Sequence, residues 1–202
     1  MSILDLLMQQ TRETTWLEWG AVVFGVAEVL YARADKIWLY PTGIIGTVLT
    51  IYILVQSRLY AESVLNVYYI VMSAYGWWHW ANRSSRPAVR ASYSTRQEWL
   101  ITAAICLAGT VVAYLVLKKY TPSNVPLWDA WVAATGWAGM WLLARRKIEN
   151  WVLLNVSNAF AIPLFYYKHL ILFAALTLFL FVIAIQGYFA WRKEIRSEMS
   201  IS

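Results

Sequence analysis

The segment Gly76-Trp77-Trp78-His79-Trp80 recurs 111 residues later as Gly187-Tyr188-Phe189-Ala190-Trp191, with a glycine and a tryptophan at the same places. The same offset aligns two further pairs of segments without a gap, namely Lys36-Ile37 with Lys147-Ile148 and Ser57-Arg58-Leu59 with Lys168-His169-Leu170. Only nine of the 57 aligned positions in 26–82 and 137–193 are identical, so the argument rests on loop signals at matching places. The sequence therefore predicts an internal repeat of three apolar segments.

The composition is typical of a membrane protein. Of the 202 residues, 60% are hydrophobic and 14% are charged, whereas soluble domains have roughly 25% charged residues. The net charge of +6 does not indicate a nucleic-acid partner, because the basic residues lie in short loops between apolar segments. Cys106 is the single cysteine, so an internal disulfide is excluded.

Seven apolar segments are long enough to cross a bilayer, which takes about 17–25 residues. We predict transmembrane helices because these segments lack the alternation of barrel strands. The predicted spans are 16–34, 37–56, 60–81, 98–117, 127–144, 150–167 and 170–191. Five of the 17 Lys and Arg residues lie on the same side of the membrane as the amino terminus, and twelve lie on the opposite side. The positive-inside rule then places the amino terminus outside and the carboxyl terminus in the cytoplasm.

Two units of three helices lie parallel only if one extra helix connects them. We therefore predict a single membrane domain over 1–202, with repeats at 16–81 and 127–191 and a connector helix at 98–117. The polar loop 82–97 is the one linker long enough to be flexible. In transporters built this way the substrate binds between the halves near the midplane of the bilayer.

Polar side chains inside two spans are the candidate substrate site. Asn66 and Tyr69 share one face of the third span, and Trp151, Asn155 and Asn158 share one face of the sixth. An unsatisfied amide in hydrocarbon costs several kcal/mol, so these side chains are expected to face the protein interior. They either bind the substrate or join helices by hydrogen bonds.

Glu28 and three tryptophans complete the candidate residues. Glu28 is the carboxylate most clearly inside a span, and it either selects a cationic substrate or makes a structural hydrogen bond. Trp77, Trp80 and Trp191 end spans on the cytoplasmic side, where they act as a gate or as a structural aromatic belt. No metal, phosphate-loop or nucleophile motif is present, so neither a metal site nor a cofactor is expected.

Several motifs together resemble the PnuC family of vitamin transporters. They are Tyr75-Gly76-Trp77-Trp78-His79-Trp80, Leu59-Tyr60-Ala61, Trp128-Asp129, and Glu149-Asn150-Trp151 followed by Asn158. The resemblance implies a fold class similar to that of the SWEET sugar transporters, in a bacterial inner membrane. It also implies uptake of unphosphorylated nicotinamide riboside by facilitated diffusion, with a cytoplasmic kinase trapping the substrate. Family members often carry a second tryptophan in the sixth span, where this chain has Leu154.

The residues suit a small cationic aromatic vitamin. Nicotinamide riboside and thiamine both carry a cationic ring, which Trp and Tyr faces attract by about 2 kcal/mol or more when water is excluded. A phosphate would need Arg or Lys, and none lies deep within a span. We expect a transporter that alternates access, rather than an enzyme or a receptor. A thiamine transporter, another vitamin or nucleoside transporter of the family, proton coupling through Glu28 and a homo-oligomer stay open as alternatives.

Overall fold

The computed structural model describes residues 3–56, 60–81 and 91–199. Ser57-Arg58-Leu59 of the aligned segments and residues 82–90 of the polar loop lie outside these ranges. The described residues form eight helices and one isolated bridge, between Ser92 and Lys147. The helices are α1 (Ile3–Glu13), α2 (Trp16–Arg33), α3 (Leu39–Gln56), α4 (Tyr60–Ala81), α5 (Arg96–Tyr120), α6 (Pro126–Ala144), α7 (Asn150–Tyr167) and α8 (Ile171–Met199).

The seven helices α2–α8 coincide with the seven predicted spans, and each begins within two residues of its predicted start. The ends differ more at α8, which continues to Met199 instead of ending at Trp191. The helix and the predicted span differ in length because a helix needs no apolar surroundings to continue past the membrane, whereas a span does. The eighth helix, α1, has 11 residues and is too short to cross a bilayer, so it does not bear on the prediction of seven transmembrane helices.

Within residues 3–56, 60–81 and 91–199, three helices are long and apolar enough by composition to cross a membrane, namely those at Leu39–Gln56, Arg96–Tyr120 and Ile171–Ser197. The other four long helices, α2, α4, α6 and α7, have 18 to 22 residues, or about 27–33 Å at 1.5 Å per residue. They carry Glu28 and most of the interior Trp, Tyr and Asn side chains, which lower their mean hydropathy. The chain is an all-α, multi-pass membrane protein.

Local sequence signals explain two of the helix starts. Thr15 and Thr95 each form a capping box, in which the threonine accepts from the backbone N–H of Glu18 or Glu98. The glutamate in turn accepts from the threonine backbone N–H. Both satisfy orphan donors at the first turn of a helix, which otherwise costs free energy.

Six helices form a closed ring in the order α2, α3, α4, α6, α7, α8, and α8 returns to α2. α5 packs on α6 from outside this ring and touches α4 only slightly. α1 packs on α8, where the Gln10 side chain donates to the His169 carbonyl at 2.6 Å and accepts from the Leu172 N–H at 3.0 Å. α1 and α5 therefore pack against the ring instead of forming part of it.

The turns α2–α3 and α6–α7 have the same backbone geometry 111 residues apart. Asp35 and Arg146 both adopt left-handed conformations, with φ of 54° and 57°. The flanking hydrogen bonds also match: Asp35 N to Ala32 O (3.1 Å), Lys36 N to Tyr31 O (2.9 Å), Arg146 N to Leu143 O (2.9 Å) and Lys147 N to Leu142 O (2.9 Å). Because the left-handed conformation disfavours residues with a Cβ, both turns hold it against local preference.

Residues 91–95 of the polar loop are held in place, contrary to the flexibility that their composition predicts. The Ser92 N–H donates to the Arg146 carbonyl at 3.2 Å, and the Ile148 N–H donates to the Ser92 carbonyl at 3.0 Å. Glu149 accepts from both the N–H and the hydroxyl of Ser94. Polarity alone misled the prediction because these polar groups find partners in the α6–α7 turn instead of water.

The close packing of α7 on α8 gives a stability prediction. A Cβ built on Gly187 would lie 2.7 Å from three ring atoms of the buried Trp151. Because α7 and α8 would have to separate at this close contact, Gly187→Ala should destabilise the protein by about 1–3 kcal/mol. The measurement is thermal unfolding in detergent micelles. Gly25→Ala is the matched control, since a Cβ there meets nothing within 4 Å; equal unfolding temperatures for the two variants would contradict this packing.

Candidate functional site

A cavity of about 900 Å³ is lined by α4, α6 and α7 and by Leu117 of α5. Its walls include Asn66 and Tyr69 of α4, Val132 and Trp137 of α6, and Leu164 of α7. The two α4 residues are the ones that the sequence predicted on one face of the third span. Their helix therefore turns the predicted polar face toward the interior.

A second cavity, of about 410 Å³, lies between α2, α3 and α8. It is lined by Glu18 and Glu28 of α2, by Thr50 of α3, and by apolar residues that include Val22 and Leu180. Its lining residues align with those of the larger cavity at the offset of 111: Glu18 with Asp129, Val22 with Ala133, and Leu180 with Tyr69. The two cavities thus occupy equivalent places in the two halves of the ring.

An ion pair stands at the mouth of the larger cavity. The Lys168 ammonium donates to both carboxylate oxygens of Asp129, at 2.5 and 2.7 Å. The Ser123 hydroxyl donates to the same carboxylate at 2.5 Å. The charge of Lys168 is therefore neutralised at the entrance.

Four buried aromatic side chains fill the opposite end of the ring; we call them the aromatic floor. They are Tyr40, Trp80, Trp151 and Trp191, each at most 2% exposed. Tyr40 meets Trp80 edge to face at 5.3 Å between ring centroids, and Trp151 meets Trp191 edge to face at 5.7 Å. Trp80 and Trp191 lie 6.2 Å apart. Since Tyr40 aligns with Trp151 and Trp80 with Trp191 at the offset of 111, the floor consists of two equivalent pairs.

Charged groups cover the aromatic floor on the side that faces away from the cavities. The guanidinium of Arg146 lies 4.7 Å from the ring centroid of Trp80, a cation–π contact, and forms an ion pair with Asp35. Glu194 is 3.9 Å from the same guanidinium. The Trp191 indole N–H donates to the Ala32 carbonyl at 3.1 Å. This end of the ring is closed by packing and by an ion pair between the two turns.

Glu28 and Tyr69 border different cavities, Glu28 the one of 410 Å³ and Tyr69 the one of 900 Å³. The Tyr69 hydroxyl faces Gly136, where a Cβ would lie 2.7 Å from the hydroxyl oxygen. The two candidates, which are 41 positions apart in the sequence, therefore both border cavities of the ring.

The α7 candidates separate into two groups. Trp151 belongs to the aromatic floor, whereas Asn155 and Asn158 are half-buried above it and border neither cavity. The Asn155 Oδ1 is buried and accepts no hydrogen bond from the described residues. Such an unsatisfied acceptor is costly in an apolar interior, so its presence beside the floor points to a ligand or a water molecule as its donor.

The three tryptophans predicted as a gate or as a structural aromatic belt also separate. Trp80 and Trp191 lie in the aromatic floor, but Trp77 is 42% exposed and faces away from it. Sequence reasoning missed Tyr40, Gly43 and Gly136, which complete the interior. A signal for Tyr40 was available, because position 40 aligns with Trp151 at the offset of 111.

No three His, Cys, Asp or Glu side chains come together within the described ranges in a way that could hold a metal ion. His79 stacks on Tyr75, with 5.8 Å between ring centroids. His169 lies in the α7–α8 turn at the opposite end of the ring.

Comparison with known proteins extends over nearly the whole chain. The family model described as nicotinamide mononucleotide transporter matches residues 15–193. The nicotinamide riboside transporter PnuC of Escherichia coli K12 is 23% identical over 214 residues, which cover 93% of this chain and 90% of that protein. The PnuC protein of Shigella flexneri has the same identity and coverage.

A solved structure has the same fold. The crystal structure of the vitamin B3 transporter PnuC superposes with a TM-score of 0.72 at 24% identity, over 96% of this chain and 90% of that chain. The resemblance that the sequence motifs predicted is confirmed. The family and its named members are transporters rather than enzymes, and this chain belongs to the nicotinamide mononucleotide transporter family, which includes PnuC.

Proposed function

We propose that this protein takes up nicotinamide riboside by facilitated diffusion with alternating access. The observation that carries the proposal is the interior of the six-helix ring. Two equivalent cavities hold Tyr69 and Glu28, and the aromatic floor closes one end. The names of the relatives from Escherichia coli and Shigella flexneri support the choice of substrate.

The alternating motion would take place between two repeats of three helices, 16–81 and 127–191, with 98–117 as the connector. The order of helices in the ring supports this proposal, since α4 packs on α6 and α8 packs on α2. In both contacts the third helix of one half meets the first helix of the other. The matching turns at Asp35 and Arg146 also support a pseudo-twofold axis along the membrane normal.

The orientation follows from the distribution of Lys and Arg. With the amino terminus outside, the aromatic floor lies at the cytoplasmic face of a bacterial inner membrane, and the Asp129–Lys168 pair lies at the outer mouth. The described structure then corresponds to a state closed toward the cytoplasm. Arg145, Arg146 and Lys147 in the α6–α7 turn support this direction.

A cationic aromatic ring would bind between Tyr69 and Glu28. Tyrosine and tryptophan faces attract cations by about 2 kcal/mol or more where water is excluded, and Glu28 adds a charge of opposite sign. Asn66 borders the larger cavity, and the free Oδ1 of Asn155 offers an acceptor. With Asn158, these amides would read the carboxamide and the ribose hydroxyls.

The substrate would be the unphosphorylated nucleoside, not the mononucleotide of the family description. Among the described residues, Lys168 and His169 are the basic ones that border the larger cavity, and Lys168 is already paired with Asp129. A phosphate would have to break that pair. A cytoplasmic kinase that phosphorylates the nucleoside after uptake would then keep the concentration of free nucleoside low inside the cell, so that net diffusion continues inward.

Thiamine is the second candidate substrate. It shares the cationic ring, and Leu154 stands where family members often carry a second tryptophan. Leu154 packs closely on α6, since a Cβ on Gly139 would lie 2.8 Å from its Cδ2. Leu154 has no aromatic ring on which the substrate could stack. This difference from the family favours a substrate that depends less on stacking at this position.

Binding of nicotinamide riboside and thiamine to the purified protein tests the proposal, with tryptophan-fluorescence quenching as the measurement. Tyr69→Ala removes a cavity wall and the cation–π partner, so its Kd for the transported vitamin should rise about tenfold, equivalent to about 1.4 kcal/mol. Asn66→Ala, at the wall of the same cavity, should also weaken binding. Tyr52→Ala is the control, because Tyr52 is half exposed on the outside of α3.

Uptake into proteoliposomes completes this test. Nicotinamide riboside should enter without an imposed pH gradient, and the mononucleotide should not compete with it. Dependence on a pH gradient would favour proton coupling through Glu28 instead, and tight binding of thiamine alone would favour the second candidate.

The ion pair beneath the aromatic floor gives a further prediction. Asp35→Ala leaves the largely buried Arg146 without its closest counter-charge, so the free energy of unfolding should fall by about 3 kcal/mol. Glu194→Ala is the control and should cost less than about 1 kcal/mol, since its contact is 3.9 Å long and more exposed. Thermal unfolding measures both variants. The double variant Asp35→Arg with Arg146→Asp exchanges the two charges and should restore part of the lost free energy of unfolding. A neutral effect of Asp35→Ala would exclude the pair as a closing contact.

A further inference from the structure

The Glu28 carboxylate occupies a space that exists only because residue 43 is a glycine. A Cβ built on Gly43 would lie 2.5 Å from Oε1, 2.6 Å from Cδ and 3.0 Å from Oε2 of Glu28. Real Cβ atoms essentially never come that close to a neighbour. Any side chain at position 43 would therefore displace the carboxylate.

This carboxylate has no protein partner among residues 3–56, 60–81 and 91–199. No hydrogen bond or ion pair to Glu28 is formed there, although it lies five residues inside the end of α2 and borders the 410 Å³ cavity. A carboxylate at membrane depth is costly to retain, and such groups usually serve a substrate or an ion. The unpartnered oxygens face the cavity that would supply such a ligand.

The equivalent positions of the other half exchange the large and the small residue. Glycine stands at 139 where the first half has Glu28, and Leu154 stands where the first half has Gly43. The contact is kept, because a Cβ on Gly139 would lie 2.8 Å from the Leu154 Cδ2. At one level of the ring, the first half thus presents a carboxylate and the second half an apolar side chain.

We propose that Gly43 is a positioning residue that fixes the Glu28 carboxylate toward the cavity and thereby sets a preference for organic cations over neutral molecules of the same shape. At the equivalent place of the other half, the apolar side chain of Leu154 packs against Gly139 of α6. The ligand class is a cation whose charge lies at one end of a flat apolar body. This inference rests on the proposed function and names the group that reads the charge of its substrate.

A purely structural role for Gly43 would be close approach of α2 and α3. That role is already served one turn further along α3 by Gly46, where a Cβ would lie 3.3 Å from the Gly25 backbone nitrogen and from the Phe24 Cβ. At Gly43 the nearest atoms belong to the carboxylate of Glu28 instead of the α2 backbone. The two glycines therefore have different neighbours and different predicted effects.

The test compares Kd values for nicotinamide riboside and for its reduced form, measured by isothermal titration calorimetry on the purified full-length protein. The two compounds have nearly the same shape, but the reduced form lacks the positive charge. Wild type should prefer the cation, and Gly43→Ala should lower that preference about tenfold, as should Glu28→Gln; a tenfold change is about 1.4 kcal/mol.

Two further variants separate positioning from packing. Gly139→Ala crowds Leu154 at the equivalent place of the other half, so it should weaken both compounds to the same extent and leave the preference unchanged. The double variant Gly43→Ala with Glu28→Asp has a carboxylate one methylene shorter, which withdraws it from the new Cβ. It should recover at least half of the lost preference on a logarithmic scale.

The outcomes separate this inference from the proposed function. Equal weakening of both compounds by Gly43→Ala and by Glu28→Gln would overturn the positioning role while nicotinamide riboside remained the substrate. If only thiamine binds, the substrate proposal fails. In that case the Kd values of thiamine and of deazathiamine, whose neutral thiophene replaces the thiazolium ring, are compared in the same variants. Equal weakening of both compounds by Gly43→Ala would then overturn the positioning role. If wild type binds neither vitamin, both proposals are overturned.

Discussion

The structure depends on one constraint, which is that a bilayer offers no hydrogen bonds to a polar group. Asn66, Tyr69, Glu28 and Asn155 therefore lie on the inner side of a six-helix ring, while the lipid-facing surfaces of α5 and α8 remain apolar. Small residues let the helices of the ring pack closely around these polar side chains. Gly76 and Gly187 give the space in which Tyr40 and Trp151 are buried, and so the aromatic floor depends on two residues without side chains.

Equivalent positions in the two halves are complementary rather than identical. Asp35 and Arg146 have the same left-handed backbone conformation but opposite charges, and they pair with each other across the ring. Glu28 with Gly43 and Gly139 with Leu154 exchange a large and a small residue while keeping the same contact. A ring built from matching backbones can in this way carry an asymmetric interior, which an asymmetric ligand requires.

Aromatic side chains serve two different purposes at two levels of the ring. In the aromatic floor, Trp80 and Trp191 are fully buried and make edge-to-face contacts, which are the favoured geometry for ring pairs. Higher in the ring, Tyr69 and Trp137 border a cavity. The difference between a closing contact and a binding surface is thus set by what packs on the ring, not by the residue type.

The sequence by itself determined the helices and the family, because apolar length and the motifs around Trp77, Trp128 and Trp151 are local signals. It also indicated Asn66, Tyr69 and Glu28 as interior residues, since a polar group in a span has few other places to go. Only the tertiary structure decided that Trp151 and Trp80 share the floor while Trp77 faces outward. The distinction depends on helix rotation, and in helices that are apolar on nearly all sides the sequence period is too weak to fix it. Likewise, the order of residues could not show that Gly43 makes room for a carboxylate, because that contact joins two helices whose approach is set by the whole ring.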